Sequence, residues 1–196
     1  FTDTVKVLGI IGFAASMLTM YLLAREFFGR HGGMVAALFY VYAPYHSTDF
    51  YVRGAINEFW ALVWYPLIFW TTYRLIQDGK KWIPWVSLSV AALMLSHNPM
   101  LMIIIPPYLI WIVLWLIKFR SIRLIRSISN LAISALWAFG LAAFFTIPVI
   151  LEAKYVSLWT LTSGYFNYLA HFLDWRQMLL YINWAMGHQN WVQMTP

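Results

Sequence analysis

The stretch Asn98–Ile117, NPMLMIIIPPYLIWIVLWLI, contains no charged residue and no histidine over its 20 residues. A helix needs about 20 apolar residues to cross the hydrocarbon core of a bilayer, which is about 30 Å thick. Similar uncharged stretches precede and follow it. Together they predict six membrane-spanning helices near residues 7–24, 32–45, 57–77, 82–96, 99–117 and 127–151.

The composition of the 196-residue chain points to the same class of protein. It is 62% hydrophobic and only 10% charged, with a mean hydropathy of +0.68. A soluble domain averages about 25% charged residues, and disordered chains are polar. The absence of cysteine excludes a disulfide scaffold, a zinc finger and a thiol enzyme. We therefore expect an all-α fold, a polytopic transmembrane helical bundle.

The net charge of +6 is distributed as in a membrane protein and does not indicate nucleic-acid binding. Nine of the 13 Lys and Arg residues lie in alternate loops, the loops that the positive-inside rule assigns to the cytoplasm. We therefore expect Phe1 and Pro196 on the external side. The nine are Arg25, Arg30, Arg74, Lys80, Lys81, Lys118, Arg120, Arg123 and Arg126.

The chain reads as a piece of a longer protein, because it begins at Phe1 and ends in a loop-like context at Pro196. Residues 1–151 are predicted to form the six-helix transmembrane module. Residues 152–196 are predicted to form an external loop with an amphipathic helix lying at the membrane surface.

Two of the predicted spans are short. The uncharged parts of the second and fourth spans have 14 and 15 residues and would cover about 21–23 Å of the about 30 Å core. Both run outward, so the loops that follow them are expected to be recessed into the membrane. Irregular backbone is tolerated at that depth only where it lines a cavity enclosed by protein or filled with water. Local thinning of the bilayer and a tight turn are alternative explanations.

The first recessed loop is the most informative stretch for chemistry: Tyr45–Glu58, YHSTDFYVRGAINE. If it is helical, His46, Asp49 and Arg53 share one face. Asp49, Glu58 and His46 together are suited to a divalent cation such as Mg²⁺ or Mn²⁺, and Arg53 is suited to a bidentate phosphate contact. The structural alternative is an Asp49–Arg53 ion pair with Glu58 stabilising the start of the third span.

The second recessed loop, Ser96-His97-Asn98-Pro99, places a histidine at the outer end of a short span. His97 is expected to face the same cavity as the first loop. The alternative is that His97 and Asn98 satisfy the last carbonyl groups of the helix.

Arg53-Gly54-Ala55-Ile56-Asn57-Glu58, which follows an external Asp49 and precedes an apolar span, resembles the second external loop of GT-C-type membrane glycosyltransferases. A longer pattern is most similar to the bacterial 6-pyruvoyl-tetrahydropterin-synthase-related membrane proteins. That pattern comprises Tyr51-Val52-Arg53-Gly54, Pro66-Leu67, Leu95-Ser96-His97-Asn98, His171-Phe172 and Gln177-Met178-Leu179-Leu180.

The resemblance implies an enzyme of the bacterial cytoplasmic (inner) membrane that transfers a sugar from a polyprenyl-phosphate-linked donor at the external face. It implies catalytic or metal-binding roles for Asp49 and Glu58, and phosphate or substrate contacts for Arg53, His97 and His46. The first span of the family and its usual catalytic aspartate are absent from this chain.

Two other classes remain open, a transporter or flippase for a lipid-linked substrate and a non-catalytic membrane scaffold. Membrane lipid is an expected partner in every case, whereas the oligomeric state is left open by the sequence.

Overall fold

The computed structural model describes residues 2–119 and 124–155, which form only helices and turns. The protein is thus all-α, a helical membrane bundle as predicted. A π-helical turn, Thr48–Val52, follows the second helix, and 3₁₀ turns occupy Lys80–Trp82 and Ala153–Tyr155. The α-helices are α1 (Thr2–Val41), α2 (Pro44–Ser47), α3 (Ile56–Asp78), α4 (Ile83–Ser96), α5 (Asn98–Lys118) and α6 (Leu124–Glu152).

A single residue, Gly29, divides α1 into two helices. Its φ of 68° and ψ of −172° are not helical, and a residue with a side chain would adopt this φ only at a cost. A Cβ on Gly33 would lie 2.9 Å from Arg25 and 3.1 Å from the Tyr21 ring, whereas a straight helix would hold these residues about 12–18 Å away. The second half therefore folds back on the first. The loop expected between the first two spans is a one-residue reversal.

Helix α3 is central and packs against α1, α4 and α5. Its core contacts include Ala61 and Ile68, which pack with Leu93 of α4 and Ile104 of α5. Polar side chains add hydrogen bonds to these apolar contacts, because groups without water must pair with one another. Thr72 and Tyr108 share a hydrogen bond of 2.8 Å between α3 and α5.

Helix α6 buries a stripe of small and polar residues spaced three or four apart. Such residues let neighbouring helices approach closely within a bilayer. Ser87 of α4 donates a hydrogen bond of 3.1 Å to the carbonyl oxygen of Ser134, which fixes the two helices at that point. The stripe comprises Ser127, Asn130, Ser134, Ala138 and Ala142.

Within the part of the chain that the structure describes, three helical stretches are long and apolar enough to cross a membrane: Asp3–Val41, Asn98–Lys118 and Leu124–Tyr155. The first of these contains the reversal at Gly29 and so holds two of the predicted spans. Helices also occupy the predicted third and fourth spans, but α4 has only 14 residues. The number of crossings remains a prediction. The interfacial helix expected within 152–196 lies outside the described residues beyond position 155.

The second predicted span ends early, at Val41, whereas α4 ends at Ser96, the predicted residue. Residues 30–41, the second half of α1, have a helical length of about 18 Å. The turn between α4 and α5 lies beside the third turn of α3, because Trp64 donates a hydrogen bond of 2.9 Å to Ser96 and Tyr65 donates one of 2.7 Å to the carbonyl of Met100. Since α3 begins at Ile56, this turn lies about 12 Å along α3 from its start.

Candidate functional site

The polar stretch Tyr45–Glu58 folds as a short helix, a π-helical turn and a reversal at Gly54. The π-helical turn closes with the Arg53 N–H donating to the Thr48 carbonyl at 2.8 Å, and the Ala55 N–H returns to the Asp49 carbonyl at 2.8 Å. Gly54 has a φ of 62°, in the left-handed region that favours glycine. The reversal starts α3 immediately, so that its first turn, which carries Glu58, faces the Arg53 side chain.

Arg53 lies between two carboxylates. Its Nη1 donates to Asp49 Oδ1 at 2.7 Å and to Glu58 Oε1 at 3.1 Å, and its Nη2 lies 3.0 Å from Glu58 Oε2. The Tyr45 hydroxyl donates to Glu58 Oε1 and accepts from Arg53 Nη1 at 3.3 Å. We call Tyr45, Asp49, Arg53 and Glu58 the Arg53 cluster.

The members of the Arg53 cluster differ in their exposure. The Asp49 side chain is fully buried and that of Glu58 is 11% exposed, whereas the Arg53 side chain is 43% exposed. Asp49 Oδ2 is buried and has no hydrogen-bond partner among the described residues. An ionised oxygen left in that state is costly. The guanidinium is therefore the part of the cluster that a ligand reaches first, and Asp49 stands behind it.

The electrostatics of the cluster follow from one cation shared by two acids. Burial and the Glu58 carboxylate raise the pKa of Asp49 to about 6, against the opposing effects of Arg53 and the nearby His97. Burial alone would lower the pKa of Arg53, but its hydrogen bond to Glu58 and the negative charges of both acids raise it. With both acids ionised the cluster carries one negative charge in excess, which favours a proton or a further cation.

The predicted divalent cation finds only part of a site here. Two carboxylates are suitable ligands for Mg²⁺ or Mn²⁺. However, three of their four oxygens contact Arg53, and the described residues contain no group of three His, Asp or Glu side chains that could hold a metal ion. We therefore derive no chemical step through a cation, and the metal-binding roles of Asp49 and Glu58 stay predictions.

His46 does not join the Arg53 cluster. It is 2% exposed, and its ring lies 4.7 Å from the Tyr40 ring and 6.2 Å from the Phe59 ring, measured between centroids. Both ring nitrogens are buried, and neither has a hydrogen-bond partner in residues 2–119 and 124–155. Burial lowers the pKa of His46 to about 4, so that the ring is neutral at pH 7. A buried neutral ring gives no support to the predicted phosphate contact.

His97 lies at the junction of α4 and α5 and is partly exposed. Its Nδ1 accepts a hydrogen bond of 3.3 Å from the backbone N–H of Met100. The backbone N–H of His97 donates a hydrogen bond to the Leu93 carbonyl. Part of the predicted capping role is therefore present. Because Nδ1 is an acceptor, the proton of the neutral ring is on Nε2, which is then a donor. A positive charge on the His97 ring lowers the pKa of Asp49. That the two loops share one cavity stays a prediction.

Sequence reasoning assigned no role to Tyr45, although its hydroxyl connects Arg53 and Glu58. Tyr45 and Glu58 are 13 positions apart and meet only because the chain reverses at Gly54. Glycines of α1 also position this loop: a Cβ on Gly9 would collide with the Phe50 ring, and one on Gly12 would collide with the Phe59 ring. The spacing of Gly9 and Gly12 was the available signal for this close packing.

Comparison with known proteins identifies the family. No curated protein matches the chain, and no solved structure matches it. The family model of the dolichyl-phosphate-mannose-protein mannosyltransferases matches residues 3–151, about three quarters of the chain, including the Arg53 cluster and His97. The chain therefore belongs to the dolichyl-phosphate-mannose-protein mannosyltransferase family, and it is a multi-pass membrane glycosyltransferase of the GT-C type.

Proposed function

We propose that this chain forms part of an enzyme that transfers a sugar from a polyprenyl-phosphate-linked donor to an acceptor at the external face of the membrane. The name of the family includes a dolichyl-phosphate-linked mannose, which supports this substrate class. The observation that carries the proposal is the Arg53 cluster. Its partly exposed guanidinium is held by two carboxylates beside the start of α3.

Arg53 is the proposed contact for the donor phosphate. As the sugar leaves, negative charge grows on the phosphate oxygen, and a guanidinium fixed beside it stabilises that charge. Asp49 is a positioning residue in this scheme, since its carboxylate is buried behind the guanidinium. Glu58 binds both Nη atoms of Arg53 and sets the plane of the fork.

His97 is the proposed second phosphate contact. Its Nδ1 is bound to the backbone of α5, which leaves the Nε2 proton as a donor. This donor would add a directed hydrogen bond to a phosphate oxygen.

The transfer conserves atoms and charge. The acceptor oxygen bonds to the anomeric carbon, the bond from that carbon to the phosphate oxygen breaks with its electron pair on the phosphate, and the acceptor proton passes to a carboxylate base. We assign Asp49 and Glu58 to holding the guanidinium and not to this proton transfer, because both carboxylates are bound to Arg53.

The location of the enzyme is also a proposal. The basic loops favour a cytoplasmic position for the end of α3 at Asp78 and an external position for the Arg53 cluster. The similarity to the bacterial 6-pyruvoyl-tetrahydropterin-synthase-related membrane proteins supports the bacterial inner membrane.

The test compares carboxylates in the full-length protein. Asp49→Asn and Glu58→Gln remove charge from the Arg53 cluster, and Glu26→Gln is the matched control at the other end of α3. The measurement is release of polyprenyl phosphate from a polyprenyl-phosphate-linked mannose, with the melting temperature taken on the same samples. We expect the two cluster variants to lose about 10²–10³-fold in turnover, as for loss of one electrostatic contact to a transition state.

Unchanged turnover in Asp49→Asn and Glu58→Gln would refute a role for the Arg53 cluster in transfer. Movement of the intact lipid-linked sugar across the membrane without cleavage would favour the transporter class. A melting temperature that falls in all three variants, with normal turnover per folded molecule, would favour a purely structural ion cluster.

A further inference from the structure

A second polar cavity lies where the end of α3 meets the start of α6. Its volume is about 140 Å³, well above the about 10–15 Å³ that one water molecule needs. It lies at the opposite end of α3 from Glu58, since the 20 residues from Glu58 to Asp78 rise about 30 Å. We call it the α3–α6 cavity, and it is lined by Ile76, Gln77, Asp78, Gly79, Arg126, Ser127 and Asn130.

The α6 side of the cavity supplies hydrogen-bond donors. Asn130 is 7% exposed, and its side-chain Nδ2 is buried with no hydrogen-bond partner among the described residues. A buried amide without a partner is costly, so a ligand that accepts a hydrogen bond from it is favoured. Ser127, one turn before it, is also 7% exposed. Arg126 is exposed and, among the described residues, makes no ion pair within 4.0 Å.

The α3 side supplies acceptors. Trp82 Nε1 donates to Asp78 Oδ2 at 3.2 Å, and Arg74 and Lys81 lie 3.1 and 3.8 Å from the same oxygen. These contacts leave Asp78 Oδ1 for another partner. The last carbonyl groups of α3 form the negative end of the helix dipole, and this end attracts a cation.

The depth of the cavity fits the headgroup layer of a membrane. About 30 Å from Glu58 corresponds to the thickness of the hydrocarbon core. Trp70 and Trp82 pack edge-to-face near Arg74 with ring centroids 5.1 Å apart, and tryptophan is enriched at the membrane interface. A lipid headgroup is therefore the ligand most abundant at this level.

We infer that the α3–α6 cavity binds the phosphoethanolamine headgroup of a membrane phospholipid. The phosphate accepts hydrogen bonds from Arg126, Ser127 and Asn130, while the ammonium is placed towards Asp78 and the end of α3. Donors and acceptors on opposite walls match a zwitterion, whereas a purely anionic headgroup would meet the Asp78 carboxylate. The site does not depend on the Arg53 cluster, because the two lie at opposite ends of α3.

The test is native mass spectrometry of the full-length, delipidated protein with phosphatidylethanolamine or phosphatidylglycerol added in detergent. We expect one phosphatidylethanolamine adduct to be retained at least about tenfold more than phosphatidylglycerol. Arg126→Gln and Asn130→Leu should reduce that adduct about tenfold, and Arg30→Gln, another exposed arginine in the basic loops, should not. Ser127→Ala provides a milder variant should Asn130→Leu fail to fold, and is expected to weaken the adduct severalfold.

Two controls decide the nature of the ligand. Inorganic phosphate alone should raise the melting temperature less than phosphatidylethanolamine does, since it lacks the ammonium group. An equal shift with phosphate would overturn the headgroup assignment in favour of a simple anion site. Equal retention of both lipids would overturn the role of Asp78, and equal loss in Arg126→Gln and Arg30→Gln would overturn the site.

Discussion

The two ends of α3 are built from the same parts and arranged differently. At one end Arg53 lies between Asp49 and Glu58, and at the other Arg74 lies near Glu26 and Asp78, at 3.7 and 3.1 Å. Each arginine is four residues from one of its acids. The two ends therefore differ in the residues and backbone that surround each arginine and its acids.

The Arg74 end is a balanced structural cluster. Lys81 adds a second cation 3.8 Å from Asp78, and tryptophan side chains donate hydrogen bonds to the acids. All of its charged residues are on helices or on the turn that directly follows α3. At the Arg53 end, the described residues supply no second cation and no hydrogen-bond partner for Asp49 Oδ2. Its backbone includes a π-helical turn. Unbalanced charge and irregular backbone are the features that mark a functional site.

The largest expected contrast between the two ends is their side of the membrane. These 196 residues contain no cysteine, so they add no background to the labelling of a single introduced cysteine. Tyr51 and Lys80 are exposed residues near the two ends of α3, and each is replaced by cysteine in turn. Thr48 also lies in the first loop, but it is buried and therefore unsuited to labelling. We expect an impermeant thiol reagent added outside to label position 51 and not position 80 in intact cells. Labelling of position 80 alone would reverse the orientation.

The next contrast concerns pH. Burial in the folded state lowers the pKa of His46 to about 4. Below pH about 6.5, His46 therefore binds a proton in the unfolded chain but stays neutral in the folded chain until the pH approaches 4. Stability from this group is therefore lost as pH falls from about 6.5 to about 4, by up to about 3 kcal/mol. We expect melting temperatures of His46→Phe to fall less steeply over this window than those of the wild type.

The comparison with His46→Phe is needed because Asp49 acts in the opposite direction. Its pKa is raised to about 6, so the folded state holds a proton longer and gains relative stability as pH falls from about 6 to about 4. Both proteins share that contribution. His31→Phe, at an exposed histidine near Gly29, is the control and should leave the slope unchanged. Parallel pH curves for the wild type and His46→Phe would contradict the buried neutral ring.

A smaller effect is expected from the glycine that positions Arg53. Gly54→Ala forces a side chain into a φ of 62°, and Gly29→Ala forces one into a φ of 68° within α1. Each change should cost roughly 1–3 kcal/mol of stability. Only Gly54→Ala should also reduce turnover per folded molecule, because it moves Arg53 relative to Glu58. Equal turnover in the two variants would show that the reversal serves folding alone.

The sequence predicted the helices and the meeting of Asp49 with Arg53, because apolar run length and i,i+4 spacing are local properties. It did not predict that Tyr45 would bind Glu58, since that contact requires the reversal at Gly54. The surroundings of His46 were likewise hidden, because Tyr40 and Phe59 reach it from separate helices. Where a side chain lies in a bundle depends on packing, which spacing along one segment does not specify.

The most direct test of the difference between the ends is the paired substitution of Arg53→Lys and Arg74→Lys in the full-length protein. Lysine keeps the charge and loses the fork that binds two groups at once. Turnover of a polyprenyl-phosphate-linked mannose and melting temperature are measured on the same purified samples. We predict about a 10²-fold loss of turnover for Arg53→Lys with a near-normal melting temperature, and a lower melting temperature with normal turnover per folded molecule for Arg74→Lys. Full turnover in Arg53→Lys, or equal losses in both variants, would contradict the assignment of the functional site to the Arg53 end of α3.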